Sequence, residues 1–297
     1  MISKTKDGYI IEVSNLTKFY GKTKGIENVS FHINKGEIFG LMGPNGSGKT
    51  TTLRSMLNLI QSSSGETKIF SKNLLNLSKL EMSNISYLPG EFEMYGDLTG
   101  KEYLEYISNL RSAKKNNTNI LSDRLDFDLN RKIKTLSKGN KQKIGIIMAF
   151  MNKPEIAILD EPTSGLDPLK QKEFQNIVKE HNAEGCSILL SSHILREIED
   201  LCERVGVIKE GNIIASEQIS DLKNKTIKKY EISFDKEPGK SQISKIKGVS
   251  NLDINKNIVT FNMHGNTDNL IKTISKYKVI NLRIIEPDLE EIFLTYY

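Results

Sequence analysis

The sequence predicts an α/β fold: a mostly parallel sheet covered by helices, an antiparallel β part before it, and a small α+β unit at the C-terminal end. Three observations carry this reading. Ile38-Phe39-Gly40-Leu41-Met42 is an apolar strand followed by a glycine-rich turn and a helix-like stretch, Thr50 to Leu59. Farther on, the apolar runs Ile156 to Leu159 and Ile188 to Leu190 flank a helical stretch, Lys170 to His181. Short apolar strands alternating with helices suit a parallel sheet buried on both faces. After residue 225 the pattern resets to β-α-β-β-α-β.

The elements follow in chain order. Residues 9–40 read as a run of strands, with Ile10 to Val13 and Val29 to Ile33 separated by turn residues. Between 98 and 151 the spacing is mostly helical: Tyr103, Tyr106, Ile107 and Leu110 share a face, and Lys114 to Asn119 is a polar loop. Val205 to Ala215 closes this part with β structure. In the C-terminal unit, Tyr230, Ile232 and Phe234 alternate as a strand, and Ile243 and Ile246 suggest a short helix. A hairpin turns at Asn255 to Asn257, Leu270 to Tyr277 is helical, and Val279 to Ile285 is a strand. That order matches a ferredoxin-like unit. A last helix starts at Pro287-Asp288, with Glu291 three positions after Asp288 in capping-box spacing. The predicted domains are 1–225, with a helical subdomain at about 90–150, and 226–297.

Composition excludes several classes. The 297 residues suit roughly two domains. Lys and Arg total 42 against 37 Asp and Glu, a net charge of +5, with no basic tail. Only seven of those cations are Arg, fewer than a surface reading phosphates or bases bidentately would use, so no nucleic-acid partner is expected. Cys186 and Cys202 lack metal-type spacing and read as small core residues of a reducing compartment. The long apolar run Ile144 to Met151 is eight residues, well short of the ~20 that span a bilayer. Nor does the N-terminal stretch read as a secretory signal.

Two motifs carry chemistry. Gly43-Pro44-Asn45-Gly46-Ser47-Gly48-Lys49-Thr50 fits G-x-x-x-x-G-K-[ST] between a strand and a helix. Its glycines let backbone N–H groups cradle phosphates, Lys49 reaches the β- and γ-phosphates, and Thr50 offers a hydroxyl to Mg²⁺. Ile156 to Glu161 is an apolar strand ending in two acids. Phosphoryl transfer needs one acid to hold the metal and a group to orient or deprotonate water, which assigns Asp160 to Mg²⁺ and Glu161 to the base.

With these motifs and their order, the chain resembles the ATP-binding subunit of an ABC transporter. Leu136-Ser137-Lys138-Gly139-Asn140 stands where that family carries an LSGGQ-type segment, just before the Asp-Glu strand. The resemblance implies a P-loop ABC ATPase domain binding ATP and Mg²⁺ through residues 43–50 and Thr51. Two copies, or this chain with a close relative, then close around two ATP molecules, with Ser137, Lys138, Gly139, Asn140 and Asp167 acting in trans. Ser164-Gly165-Leu166-Asp167 matches the dimer-contacting loop, His193 of Ser191-Ser192-His193 the γ-phosphate switch, and Tyr20 the aromatic that stacks on adenine. One departure stands out: Gly90 occupies the position of a Gln that touches Mg²⁺, which makes neighbouring Glu91 the candidate replacement.

From Arg131 to Lys143 six basic residues and no acids form either a local field for a triphosphate or a solvated helix face with Lys138 alone near the nucleotide. The ending Pro287-Asp288-Leu289-Glu290-Glu291-Ile292-Phe293-Leu294 is similar to tails of the ABC-2-type exporter branch. That resemblance implies an ATPase at the cytoplasmic face of the cell membrane, working with an integral membrane permease subunit. The partner surface is expected between Tyr87 and Arg111, with Tyr95, Tyr103 and Tyr106 as candidates. The alternatives are a soluble ABC ATPase on ribosomes or DNA, or a non-hydrolysing regulator. A single phosphate loop and the absence of sustained heptads disfavour the first. The intact Asp160, Glu161 and His193 disfavour the second.

Overall fold

Residues 11–73 supply an antiparallel sheet in the computed structural model, which describes residues 8–110, 117–221, 228–236, 243, 244, 246, 248–263 and 267–285. β1 (Ile11–Tyr20) turns at Gly21-Lys22 into β2 (Thr23–Ile33). Between this hairpin and the rest of the sheet the chain forms β3 (Ile38–Met42) and α1 (Lys49–Met56). β4 (Ser64–Ile69) and β5 (Lys72–Asn73) then complete the order β2-β1-β4-β5. The predicted helix to Leu59 ends earlier, because Asn58 takes a left-handed φ of 52° just beyond Met56.

After α2 (Lys79–Ser83), β6 (Ile85–Leu88) enters the main sheet. The chain then leaves for a helical part: α3 (Gly100–Leu110), α4 (Thr118–Arg124) and α5 (Lys138–Phe150). Thr118 and Asn119, expected in a loop, open α4 instead. β7 (Ile156–Asp160), α6 (Pro168–Ala183), β8 (Ser187–Ser192), α7 (Leu195–Leu201), β9 (Arg204–Lys209) and β10 (Asn212–Gln218) return to the sheet. α6 starts two residues before the expected Lys170, since the Asp167 side chain accepts from Lys170 N and Pro168 takes the first turn, where its missing N–H costs nothing.

The main sheet has the order β10-β9-β3-β8-β7-β6, parallel except for the β10 edge. Every residue of β3, β7 and β8 is buried, as strands covered on both faces must be. One core joins the two sheets through α1: Phe31 of β2 stacks on Phe39 of β3 at 5.3 Å, and Leu53 and Met56 pack among them. Cys186 and Cys202 are free and buried.

Contacts divide the chain into two units, Met1–Ile219 and Ser220–Tyr297. The boundary expected at residues 225/226 lies outside the described residues, as do Arg111, the helix from Pro287 and the exporter-like tail. The second unit holds β11 (Lys228–Phe234), β12 (Val249–Asn255), β13 (Ile258–Met263), α8 (Asp268–Ile274) and β14 (Val279–Ile285). Their sheet order, β12-β13-β11-β14 and antiparallel throughout, is the ferredoxin-like arrangement. Ile243 and Ile246 are buried in its core, while most of the short helix expected around them lies outside the described residues.

Candidate functional site

The carboxyl ends of three neighbouring strands, β3, β8 and β7, converge, the place where open α/β sheets hold ligands. Met42 pairs with Ser192, and Ser191 with Asp160, which brings the phosphate loop, His193 and the acid pair to one edge. The loop needs its glycines for identifiable reasons. A Cβ on Gly43 would sit 2.3 Å from Ile208 O, and Gly48, the residue before α1, has φ 108°. Lys49 is buried, and its Nζ donates to Gly43 O at 2.7 Å and Pro44 O at 3.1 Å. Its third neighbour is Glu161 Oε1 at 3.1 Å. Ser47 Oγ is buried there without a hydrogen-bond partner among the described residues.

Asp160 is fully buried at the end of β7. Its Oδ1 accepts from Ser191 Oγ at 2.6 Å, while Oδ2 has no partner among the described residues. An orphaned carboxylate oxygen in a dry site is costly unless a cation or donor meets it, so this oxygen fits a metal ligand. The next residue, Glu161, takes φ 48°, a left-handed backbone that costs a non-glycine residue on the order of 1 kcal/mol or more. Its N–H donates to Ser191 O at 3.2 Å, and its Oε2 lies 2.7 Å from Nδ1 of the exposed His193. The strained turn thus holds the carboxylate between Lys49 and His193.

Behind this pair sits Glu197 of α7, buried on a face with Leu195, Ile198 and Leu201. Its carboxylate accepts from Thr163 Oγ1 and, at 2.7 Å, from Ser192 Oγ. Burial pushes its pKa up, the two hydroxyl bonds oppose that, and the Glu161 charge adds to the rise.

The segment Leu136–Asn140 lies elsewhere. Ser137 caps α5, accepting from Asn140 N at 3.4 Å, and Gly139 packs so closely on the next loop that a Cβ would meet Gly165 O at 2.5 Å. Lys138 lies against Gly165, and Asp167 caps α6. No hydrogen bond or ion pair among the described residues joins Ser137, Lys138, Gly139, Asn140 or Asp167 to the chain's own phosphate loop. In the basic run, Lys134 pairs with Asp97 at 2.8 Å and Lys143 donates to Asp126 O. Tyr20 is half exposed, with a ring edge 2.9 Å from where a Gly25 Cβ would stand; Thr51 meets the same point at 3.2 Å. The ring lies beside the first turn of α1, with Lys18 Nζ over it at 5.1 Å from the centroid.

Gly90, not Glu91, faces the acid pair: a Cβ there would meet Asp160 O at 3.3 Å and Oδ2 at 3.4 Å. Glu91 is exposed. Tyr103 is buried, whereas Tyr95 and Tyr106 are exposed and meet edge to face at 6.0 Å.

Sequence reading missed Glu197, Thr163 and the hydroxyls of Ser191 and Ser192 as parts of the site, and also Gln142, whose Nε2 donates to Pro162 O at 2.7 Å. A signal existed for one of them. Glu197 interrupts the apolar face of a short helix four residues after His193, where burial of a charge calls for a reason.

Comparison with known proteins agrees with this geometry. A family model described as ABC transporter matches residues 26–164. An uncharacterised ABC transporter ATP-binding protein of Methanocaldococcus jannaschii is 38% identical over 71% of this chain and 79% of its own length. The bacitracin transport ATP-binding protein of Enterococcus faecalis is 36% identical over 78% of this chain and 76% of its own. Among solved structures, the dimeric structure of a bacterial ABC transporter cassette is 25% identical, with a TM-score of 0.62, over 70% of this chain and 98% of that one.

Proposed function

The chain belongs to the ATP-binding subunits of ABC transporters, and from that premise we propose that it hydrolyses ATP to drive an ABC-2-type exporter through a separate permease subunit at the cytoplasmic face of the membrane. One observation carries the chemistry: Glu161 is held between Lys49 and His193 at the mouth of the phosphate loop. The loop N–H groups and the N-terminus of α1 bind the phosphates, and Lys49 exchanges its carbonyl partners for phosphate oxygens. Glu161 accepts a proton from the attacking water, with His193 fixing its second oxygen. Thr50 and Asp160 would hold Mg²⁺, which would supply positive charge to the phosphates. Glu91, next to Gly90 in the sequence, is the candidate replacement for the missing Gln although it is exposed, and a raised Mg²⁺ requirement in Glu91→Ala tests that role.

Tyr20, half exposed beside Thr51, is the aromatic that stacks on adenine. Ser137 to Asn140 and Asp167 act on the nucleotide of a second subunit, a reading supported by their position on the Gly165 loop rather than at Lys49. The transport named for the bacitracin relative and the exporter-like tail favour export over work on ribosomes or DNA. Tyr95 and Tyr106 offer the membrane partner an aromatic surface.

The test is to purify the chain from its native membranes. ATP turnover together with a co-purifying integral membrane protein is the expected result. Recovery of ribosomes or DNA in its place overturns the exporter reading, and absence of turnover overturns the ATPase.

A further inference from the structure

The chemistry above leaves two buried carboxylates unused among the described residues: Glu37, which pairs with Arg204 at 2.8 Å, and Glu197. Glu197 is 6% exposed and forms no ion pair among the described residues. Its two oxygens are divided between Thr163 Oγ1 and Ser192 Oγ, the latter at 2.7 Å. Those hydroxyls belong to different segments. Thr163 stands two residues after Glu161, and Ser192 immediately precedes His193. Ser192 Oγ also accepts from Ile194 N at 2.9 Å, which leaves its proton free to point at Glu197. For stability alone, an apolar residue would serve better on the face that carries Leu195, Ile198 and Leu201, since an unpaired buried charge costs more than two neutral hydroxyls return.

We propose that Glu197 is a positioning residue: a clasp that joins the loop after Glu161 to the end of β8, so that the base and His193 keep one mutual geometry. Thr163 leads directly into Ser164–Asp167, the loop on which Gly139 rests. The clasp therefore also transmits a displacement of that loop to His193. The 2.7 Å contact between Glu161 and His193 is what it preserves, and no atom of Glu197 touches either residue's carboxylate or ring by hydrogen bond. This role rests on the proposed assignment of Glu161 and His193.

Steady-state ATP hydrolysis by the full chain tests it, with Glu197→Ala, Glu197→Gln, Thr163→Val and Ser192→Ala. A small misplacement of reacting groups costs about 10²-fold, so Glu197→Ala is expected to lower kcat by about that factor while KM for ATP stays within about twofold. Glu197→Gln keeps the shape and one acceptor oxygen, and recovers a good part of the loss even if the alanine variant folds poorly. Thr163→Val and Ser192→Ala each lower kcat severalfold, and neither lowers it further when Glu197 is already Ala. A kcat within twofold of wild type for Glu197→Gln, Thr163→Val and Ser192→Ala alike overturns the clasp. So do losses that add in the double variants or that fall on KM. A wild-type chain without ATP turnover overturns the proposed function, and this role with it; wild-type turnover with unaffected variants overturns this role alone.

Discussion

The two units bury different kinds of side chain. In the first, Lys49, Asp160, Glu197, Ser191 and Ser192 lie inside the protein at one sheet edge, each bonded to a named partner. Among the described residues of the second, every buried side chain is apolar or aromatic, as in Tyr230 stacked on Phe261 at 5.4 Å. The contrast separates two uses of the same β-α architecture. Apolar burial stabilises a unit at roughly 25 cal/mol per Å² and asks only that volumes match. Buried charges stabilise little, but their geometry is fixed by partners that tolerate no shift. The nucleotide edge gives up stability for placement, whereas the core of the second unit is packing alone.

Glu161→Gln should give the largest effect and sharpen the contrast most. Loss of a general base removes about 10² to 10⁴ in kcat, while the amide keeps the size of the side chain. Phosphate release should nearly stop, and an ATP-bound dimer should accumulate on size exclusion; normal turnover would remove Glu161 as the base. Next comes Phe261→Ala, which opens a cavity in the second core and should cost it about 3 to 5 kcal/mol. Hydrogen exchange should quicken in β11 to β14 with ATP turnover within about twofold. A loss of turnover like that of Glu161→Gln would instead break the separation of roles.

The smallest effect concerns charge on the surface of the first unit, where burial is missing. Glu81 is partly exposed, and Lys72 together with Ser78 holds its pKa down from 4.5 to about 2. A depressed carboxylate contributes its stability fully above the unfolded value, near 4.5, and loses it as pH falls toward 2. Ser78→Ala removes the hydroxyl half of the α2 capping box, costs roughly 1 kcal/mol, and should raise the Glu81 midpoint in an NMR titration. An unmoved midpoint would leave Lys72 and the backbone N–H of residue 78 as the causes.

Where the chain alternates, its sequence is readable. The strands at 156, 188, 230 and 279 stand in their expected places because apolar runs bounded by turns have few other ways to be buried. The phosphate loop and acid pair are equally legible, since each residue type is dictated by a local contact such as the one that forbids a Cβ on Gly43. What stayed hidden is long-range. Nothing local says that Glu197 will meet Thr163, 34 positions away, or that Gly90 will lie on Asp160. The start of α6 was also misplaced, because Asp167 was read only for its dimer contact although it caps the helix as well.

Both cysteines lie in the first unit, buried and unpaired. Burial pushes the Cys186 thiol up to about 12 and raises that of Cys202 as well, so neither supplies the thiolate that alkylating reagents require. The native chain therefore carries two silent labels. Because the second unit has none, pulsed alkylation reads the opening of the nucleotide unit alone, with no residue introduced for the purpose.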